Sequence, residues 1–170
     1  MPVGIVVADT GPLRYLVSIK QIDVLPLLFG VVAVPTTVAR ELSHPKAPDA
    51  VRTWAASPPQ WLAVHADPIE PAGLRRLDPG ERAAITLAQT LGAGLVLIDD
   101  RAGATAARAA GFRVTGTIGV LIDAAARGLL DLAAAFAALR ATNFRYPTTL
   151  LDALLAEHQP RTGGKPPDGA

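Results

Sequence analysis

Cysteine is absent from this chain of 170 residues, which excludes a disulfide framework and a thiolate metal site. Histidine is scarce. His44, His65 and His158 are scattered without metal-ligand spacing and read as surface residues. Lysine numbers 3 against 13 arginines, a bias that carries no functional reading by itself. The formal net charge is only +1, so bulk charge announces no strongly basic nucleic-acid-binding face, although a local basic rim stays open. No long apolar run is present either: "VLPLLFGVVAVP" is broken by Pro26, Gly30 and Pro35 before it reaches membrane-spanning length. The opening "MPVGIVVADTGPL" lacks a basic segment followed by a long apolar one, so no signal peptide and no membrane association are expected. A soluble cytoplasmic protein is the expectation. There is no Walker loop and no G-x-G-x-x-G, which removes the best support for a nucleotide-cofactor fold.

What is present is a core. Half of the residues are hydrophobic, 18% are charged, and the mean hydropathy is +0.31. That composition belongs to a compact globular chain, and the length suits one domain. The expected boundaries are residues 1–158 for the domain and 159–170, "QPRTGGKPPDGA", for a disordered Pro/Gly-rich tail.

Short, wholly apolar stretches alternate with helical patterns. "GIVVAD", "VVAVP", "LVLID" and "FRVTGT" read as strands, and "PPQWLAVHA" as a further one. Between them, "GPLRYLVSIKQIDVLPLLFG" reads as helix with a break from Lys20 to Asp23. "TTVARELSH", "AVRTWAAS" and "RAGATAARAAG" follow as helices. "DPGERAAITLAQTLGAG" is the clearest helix, with Asp78 as N-cap, Pro79 in the first turn and Gly92 or Gly94 at its end. This alternation predicts an α/β fold, a parallel sheet covered on both faces. Three last helical patterns, "IGVLIDAAARG", "LDLAAAFAALRAT" and "TTLLDALLAEH", have no strand among them and are expected to cap one side.

The acids fall in particular places. Asp9 directly follows the strand "IVVA", and Asp99 and Asp100 directly follow "LVLI". In an open parallel sheet, ligands bind outside the carboxyl ends of the strands, where strand order reverses. If those two strands are neighbours, their acids face one crevice. Glu41 lies near the end of the helix after the second strand, and Glu81 in the first turn of the helix before "LVLID". Several carboxylates converging without a cationic partner call for a divalent cation, Mg²⁺ or Mn²⁺, which take hard oxygen ligands. Such ions activate water and stabilise the leaving oxygen of a phosphodiester displacement, with no Cys, His or Lys nucleophile.

Each residue also has a structural reading. Asp9 in "DTGP" could cap the next helix. Glu41 alone reads as a solvated helix residue. Glu81 in "DPGE" completes a capping box with Asp78. One of Asp99 and Asp100 could cap the helix that starts at Arg101 while the other lines the crevice. Thr10 is placed to bond water in the site or to cap. Arg14, Arg101 and Arg108 could hold phosphates at the rim or form a solvated basic face; Arg101 and Arg108, seven apart, share a helix face. Trp54 and Trp61 read as packing residues rather than base-stacking ones.

"VVADTGPL", "PTTVAREL", "LDPGERAAITLA" and "LVLIDDRAGATAARAAGFRVTGTIGVL", in that order, resemble the PIN-domain family, most closely a prokaryotic subgroup marked by "GE", "IDD" and "GTIGVL". The resemblance runs from Val3 to Glu157. It implies a three-layer α/β/α sandwich with a parallel sheet of about five strands, and a Mg²⁺- or Mn²⁺-dependent ribonuclease, often the toxin of a type II toxin–antitoxin pair. By position, Asp9, Glu41 and Glu81 match the family's acids. For the strand-end acid, alignment on "DR" favours Asp100 and strand geometry allows Asp99, so both stand. The resemblance further implies RNA as substrate, a small antitoxin partner and a homodimer. Gly11 stands where many members have Ser or Thr, and the long C-terminal helical segment is more typical of the subgroup than of the toxins.

The expected function is therefore a metal-dependent endoribonuclease that uses Asp9, Glu41, Glu81 and Asp99 or Asp100. The alternative is a non-catalytic RNA-binding or interaction module on the same fold. A small-molecule phosphohydrolase is disfavoured, because no D-x-D-x-T pattern follows the first strand.

Overall fold

In the computed structural model, which describes residues 4–147 and 149–158, the apolar runs become five short parallel strands. These are β1 (Val6–Ala8), β2 (Val32–Pro35), β3 (Leu62–His65), β4 (Leu95–Leu97) and β5 (Arg113–Thr115). The order across the sheet is β3-β2-β1-β4-β5. Registers such as Val7↔Ala33 and Val7↔Val96 place β1 at the centre. β1, β2 and β4 are buried at every position, as continuous aliphatic runs in a doubly covered parallel sheet must be. The edge strands β3 and β5 are partly open, and they carry His65 and Arg113. The tail expected to be disordered lies outside the described residues.

The helices are α1 (Thr10–Ser18), α2 (Val24–Phe29), α3 (Thr36–Leu42), α4 (Asp49–Ala56), α5 (Pro79–Leu91), α6 (Arg101–Ala109), α7 (Thr117–Ala126), α8 (Leu132–Arg140) and α9 (Leu150–His158). The break between α1 and α2 turns on Lys20, whose φ of 61° is left-handed. α5 starts on Asp78 and stops at Gly92 in the left-handed region, φ 64°.

Because side chains alternate across a strand, the sheet separates two cores. Val6, Ala8, Val32, Val34, Leu95 and Leu97 face the core shared with α1, α2 and α7, and Phe136 and Leu139 of α8 are buried in the same cluster. Val7, Ala33 and Val96 face α5 and α6 through Ile85, Ala88 and Ala107. The C-terminal helices α7, α8 and α9 thus cap the side already covered by α1 and α2. Among the described residues no helix is long and apolar enough to cross a membrane.

This topology creates the crevice. After β1 the chain enters α1 on one face, and after β4 it enters α6 on the other. The two exits diverge between neighbouring central strands, which is the switch point where open α/β sheets hold ligands.

Candidate active site

Asp9 is the first residue past β1. Its amide donates to the Leu97 carbonyl at 2.9 Å, tying it to the end of β4. Its side chain is 6% exposed. It occupies the N-cap position of α1 yet makes no capping hydrogen bond, and Oδ1 is buried without a partner. Capping therefore does not explain it. An unpaired buried acceptor is rare enough to need a reason.

Glu41, in the last turn of α3, is brought over Asp9 because β2 pairs beside β1. The Thr10 hydroxyl donates to Glu41 Oε2. The two carboxylates meet above Gly80. A methyl group on the Gly80 Cα would lie 2.5 and 2.9 Å from the Glu41 oxygens and 3.0 Å from Asp9 Oδ1. Three carboxylate oxygens from two acids thus converge on a space that only glycine leaves free.

Glu81 is 4% exposed and forms the capping box: its amide donates to Asp78 Oδ1 at 2.9 Å, and the Asp78 amide donates to Glu81 Oε2 at 3.3 Å. Asp99 accepts from the Thr117 amide at 2.6 Å and from its hydroxyl at 2.7 Å, two bonds that fix its carboxylate. Asp100 is the helix cap. Its Oδ2 accepts from the amides of Ala102 and Gly103 at 2.9 and 3.1 Å, and the residue is exposed. Replacing Asp100 by Ala should cost about 1 kcal/mol of stability in chemical denaturation, and Asp100→Asn much less, because Asn retains a capping oxygen.

All five acids line one cleft of about 520 Å³, with Thr10, Arg14 and Asp78. The cleft gathers them without drawing three around a single point: among the described residues, no group of three acids or histidines is close enough to hold an ion. The reason is competition for the side chains, since Glu81 is taken by the capping box and Asp99 by Thr117. The converging pair is Asp9 and Glu41.

The electrostatics follow from burial. Burial pushes the Asp9 carboxyl well above the carboxylate range; the Thr10 amide offsets this, and the charges of Asp78, Glu81 and Glu41 add to it. Burial also raises Glu41, against the Thr10 hydroxyl bond. Glu81 is pushed up to about 7 by burial and by the charges of Asp78 and Asp100. Asp99 is raised by burial, opposed by its bonds to Thr117. Four carboxyls share one direction, which marks a site short of positive charge.

Of the arginines, Arg14 lines the acidic cleft, whereas Arg101 and Arg108 line an adjoining groove. Trp54 and Trp61 pack on each other with ring centroids 6.0 Å apart and rest against the core. His44 and His158 are exposed, and His65 is half-buried on β3 rather than on the surface. His44 stands at the mouth of the cleft with Lys46.

Two residues here escape sequence reasoning. Gly80 is hidden because "DPGE" is fully explained by capping through Asp78, Pro79 and Glu81. Thr117, fully buried, is hidden inside "GTIGVL"; the only signal is a hydroxyl next to a strand end in an otherwise apolar run.

A family model described as a PIN domain matches residues 5–160. No curated protein matches the chain.

Proposed function

Given that the chain belongs to the PIN-domain family and has its nuclease-like fold, we propose that it is an endoribonuclease dependent on Mg²⁺ or Mn²⁺. The observation that carries this reading is the convergence of Glu41 and the unpartnered, buried Asp9 over Gly80. The donor set fits such a cation: hard anionic oxygens, two of them from Glu41 and one with no other partner, in a cleft wide enough to leave room for water and phosphate. Asp9 and Glu41 would hold the ion, with Glu81 and Asp99 or Asp100 completing its surroundings. When bound, it would supply Lewis-acid stabilisation of the phosphoryl oxygens and make water more acidic.

The remaining work falls to the chain's own side chains. The Thr10 hydroxyl orients Glu41. Thr117 holds Asp99 toward the cleft. Arg14, half-buried in the wall of the cleft, would steady a phosphate. The acids by themselves would repel an RNA backbone, so cation binding has to precede substrate binding.

The test is incubation of the purified protein with mixed RNA and Mn²⁺, with and without a chelator, beside Glu41→Gln. Fragments should form only with metal, and the variant should cut at least a hundredfold more slowly, the loss of roughly 3 kcal/mol of stabilisation. Intact RNA in every lane would remove the reading.

A non-catalytic RNA-binding module is the second reading, and the engagement of Glu81 and Asp99 in other bonds favours it. RNA bound but not cut in the presence of Mn²⁺ would select it. A homodimer and a small antitoxin belong to the first reading as partners. Light scattering and co-purification with the product of a neighbouring short reading frame address them.

A further inference from the structure

A hollow of about 420 Å³ runs along the edge strand β5, between the ends of α2 and α7. It shares no lining residue with the acidic cleft. Leu28 and Phe29 line it from α2, Leu95 and Arg113 from the first positions of β4 and β5, and Asp123 and Arg127 from the end of α7.

Arg113 sits in register with Leu95, whose side chain joins the core beneath α2 and α7. Side chains alternate along a strand, and Val114 belongs to the other core, against α6. Arg113 therefore stands on the face of the sheet that α2 and α7 cover, at a corner they leave open, and it is exposed there. Arg127 is exposed too, as is Asp123. Among the described residues neither arginine forms an ion pair, with Asp123 or with any other acid; the arginines that do are Arg52, Arg82 and Arg140.

Each charge has a structural account when taken singly. An inward-pointing charge guards a sheet edge against pairing, and a cation suits the end of a helix. Neither account brings two guanidinium groups and a carboxylate, all unpaired, to one hollow beside nearly buried leucines. Leu28 is 8% exposed and Leu95 5%. The chemistry of the lining is that of a ligand with three parts. Guanidinium forks take phosphate oxygens in pairs. A carboxylate accepts from the hydroxyls of a ribose. The apolar wall of Leu28, Phe29 and Leu95 takes a flat ring. The volume falls within the range of roughly 300–1,000 Å³ that small-molecule sites occupy.

We infer that this hollow binds a nucleoside monophosphate, with the phosphate on Arg113 and Arg127, the ribose hydroxyls on Asp123 and the base against the apolar wall. The assignment is independent of the nuclease reading, because it uses none of the acids in the cleft.

The test is equilibrium dialysis of the full chain against radiolabelled adenosine monophosphate, in chelator so that no cation in the acidic cleft recruits phosphate. One molecule should bind per chain. As competitors, ribose 5-phosphate should be about tenfold weaker, and adenosine and inorganic phosphate about a hundredfold weaker, as each lost group removes its own contacts. Arg113→Ala and Arg127→Ala should each weaken the monophosphate about tenfold. Asp123→Ala should lower the preference for the monophosphate over inorganic phosphate by a similar factor, because it removes the ribose acceptor and a charge that repels phosphate. Melting curves check folding. Arg127→Lys keeps a cation at the end of α7 without the planar fork, so it should bind more weakly than the original even if alanine frays the helix.

No binding of the monophosphate at millimolar concentration overturns the assignment, as does binding that both arginine variants leave unchanged. Inorganic phosphate as tight as the monophosphate would make this a simple anion site and also overturns it. A short RNA that binds through Arg113 and Arg127 while the monophosphate does not has the same consequence. Failure of Mn²⁺-dependent cutting removes the nuclease reading and leaves this one standing, since binding is measured without metal.

Discussion

Asp9→Asn is expected to abolish RNA cleavage, by about 10³-fold or more, and at the same time to make the metal-free protein more stable. The two effects have one cause. Asp9 is buried, its Oδ1 has no partner, and three other acids raise its pKa further. A carboxylate in that position destabilises the fold unless a cation joins it. Asn removes the charge and keeps the shape. A gain of roughly 1–3 kcal/mol follows if most of the burial cost is relieved. The loss of activity follows because a hard anionic donor to the cation is gone, and several kcal/mol of transition-state stabilisation correspond to about 10³ in rate.

The sign of the pH dependence follows from the same acids. Asp9, Glu41, Glu81 and Asp99 all titrate higher in the fold than in the unfolded chain. Between the ordinary value of 4.5 and about 7 for Glu81, the native state holds more protons than the unfolded one. Stability of the metal-free protein therefore falls as pH rises through that window. Mn²⁺ added above it should restore stability. At a hundredfold excess over its dissociation constant the gain is about 2.7 kcal/mol, or roughly 5–10 °C in Tm for a chain of this size. Asp9→Asn should lose most of that shift. A variant less stable than the original without metal, together with an original that gains nothing from Mn²⁺, would remove Asp9 from the cation site.

Gly80→Ala is expected to lower cation affinity and cleavage on the order of 10²-fold while leaving the fold intact. Alanine suits the first turn of a helix better than glycine, by up to about 1 kcal/mol, so a stability loss is not anticipated at α5 itself. The added methyl would stand 2.5 Å from Glu41 Oε2 and 3.0 Å from Asp9 Oδ1. Glu41 has a flexible end and would swing away, leaving its bond to the Thr10 hydroxyl. The space where the carboxylates meet would then hold a carbon. An Mn²⁺-induced Tm shift equal to the original, with unchanged cutting, would show that this space is not where the cation is held.

Local patterns carried the fold a long way. Apolar runs too short for helices, such as "LVLI", became strands buried on both faces, and "DPGE" became the capping box it resembles. Strand ends were less legible: "GIVVAD" forms a strand only over Val6–Ala8, although backbone bonds to the β4 segment continue at Ile5 and Asp9. The two acids after "LVLI" were undecidable in the chain itself. Either can cap a helix that begins at Arg101. The assignment came from Thr117, 18 residues away, which takes Asp99 through two bonds and leaves Asp100 to the helix amides.

The sequence by itself determined the class of structure and the set of acids, since strand period, helix capping and the placement of Asp9 and Asp99 at strand ends depend on neighbours within a few residues. Only the tertiary structure decided how those acids divide. Placing β4 beside β1 set Asp9 against Leu97, and carrying α3 over α5 brought Glu41 to Asp9 across Gly80. Each of these outcomes is a competition for one side chain among partners far apart in the chain, and it is settled by which elements the sheet makes neighbours.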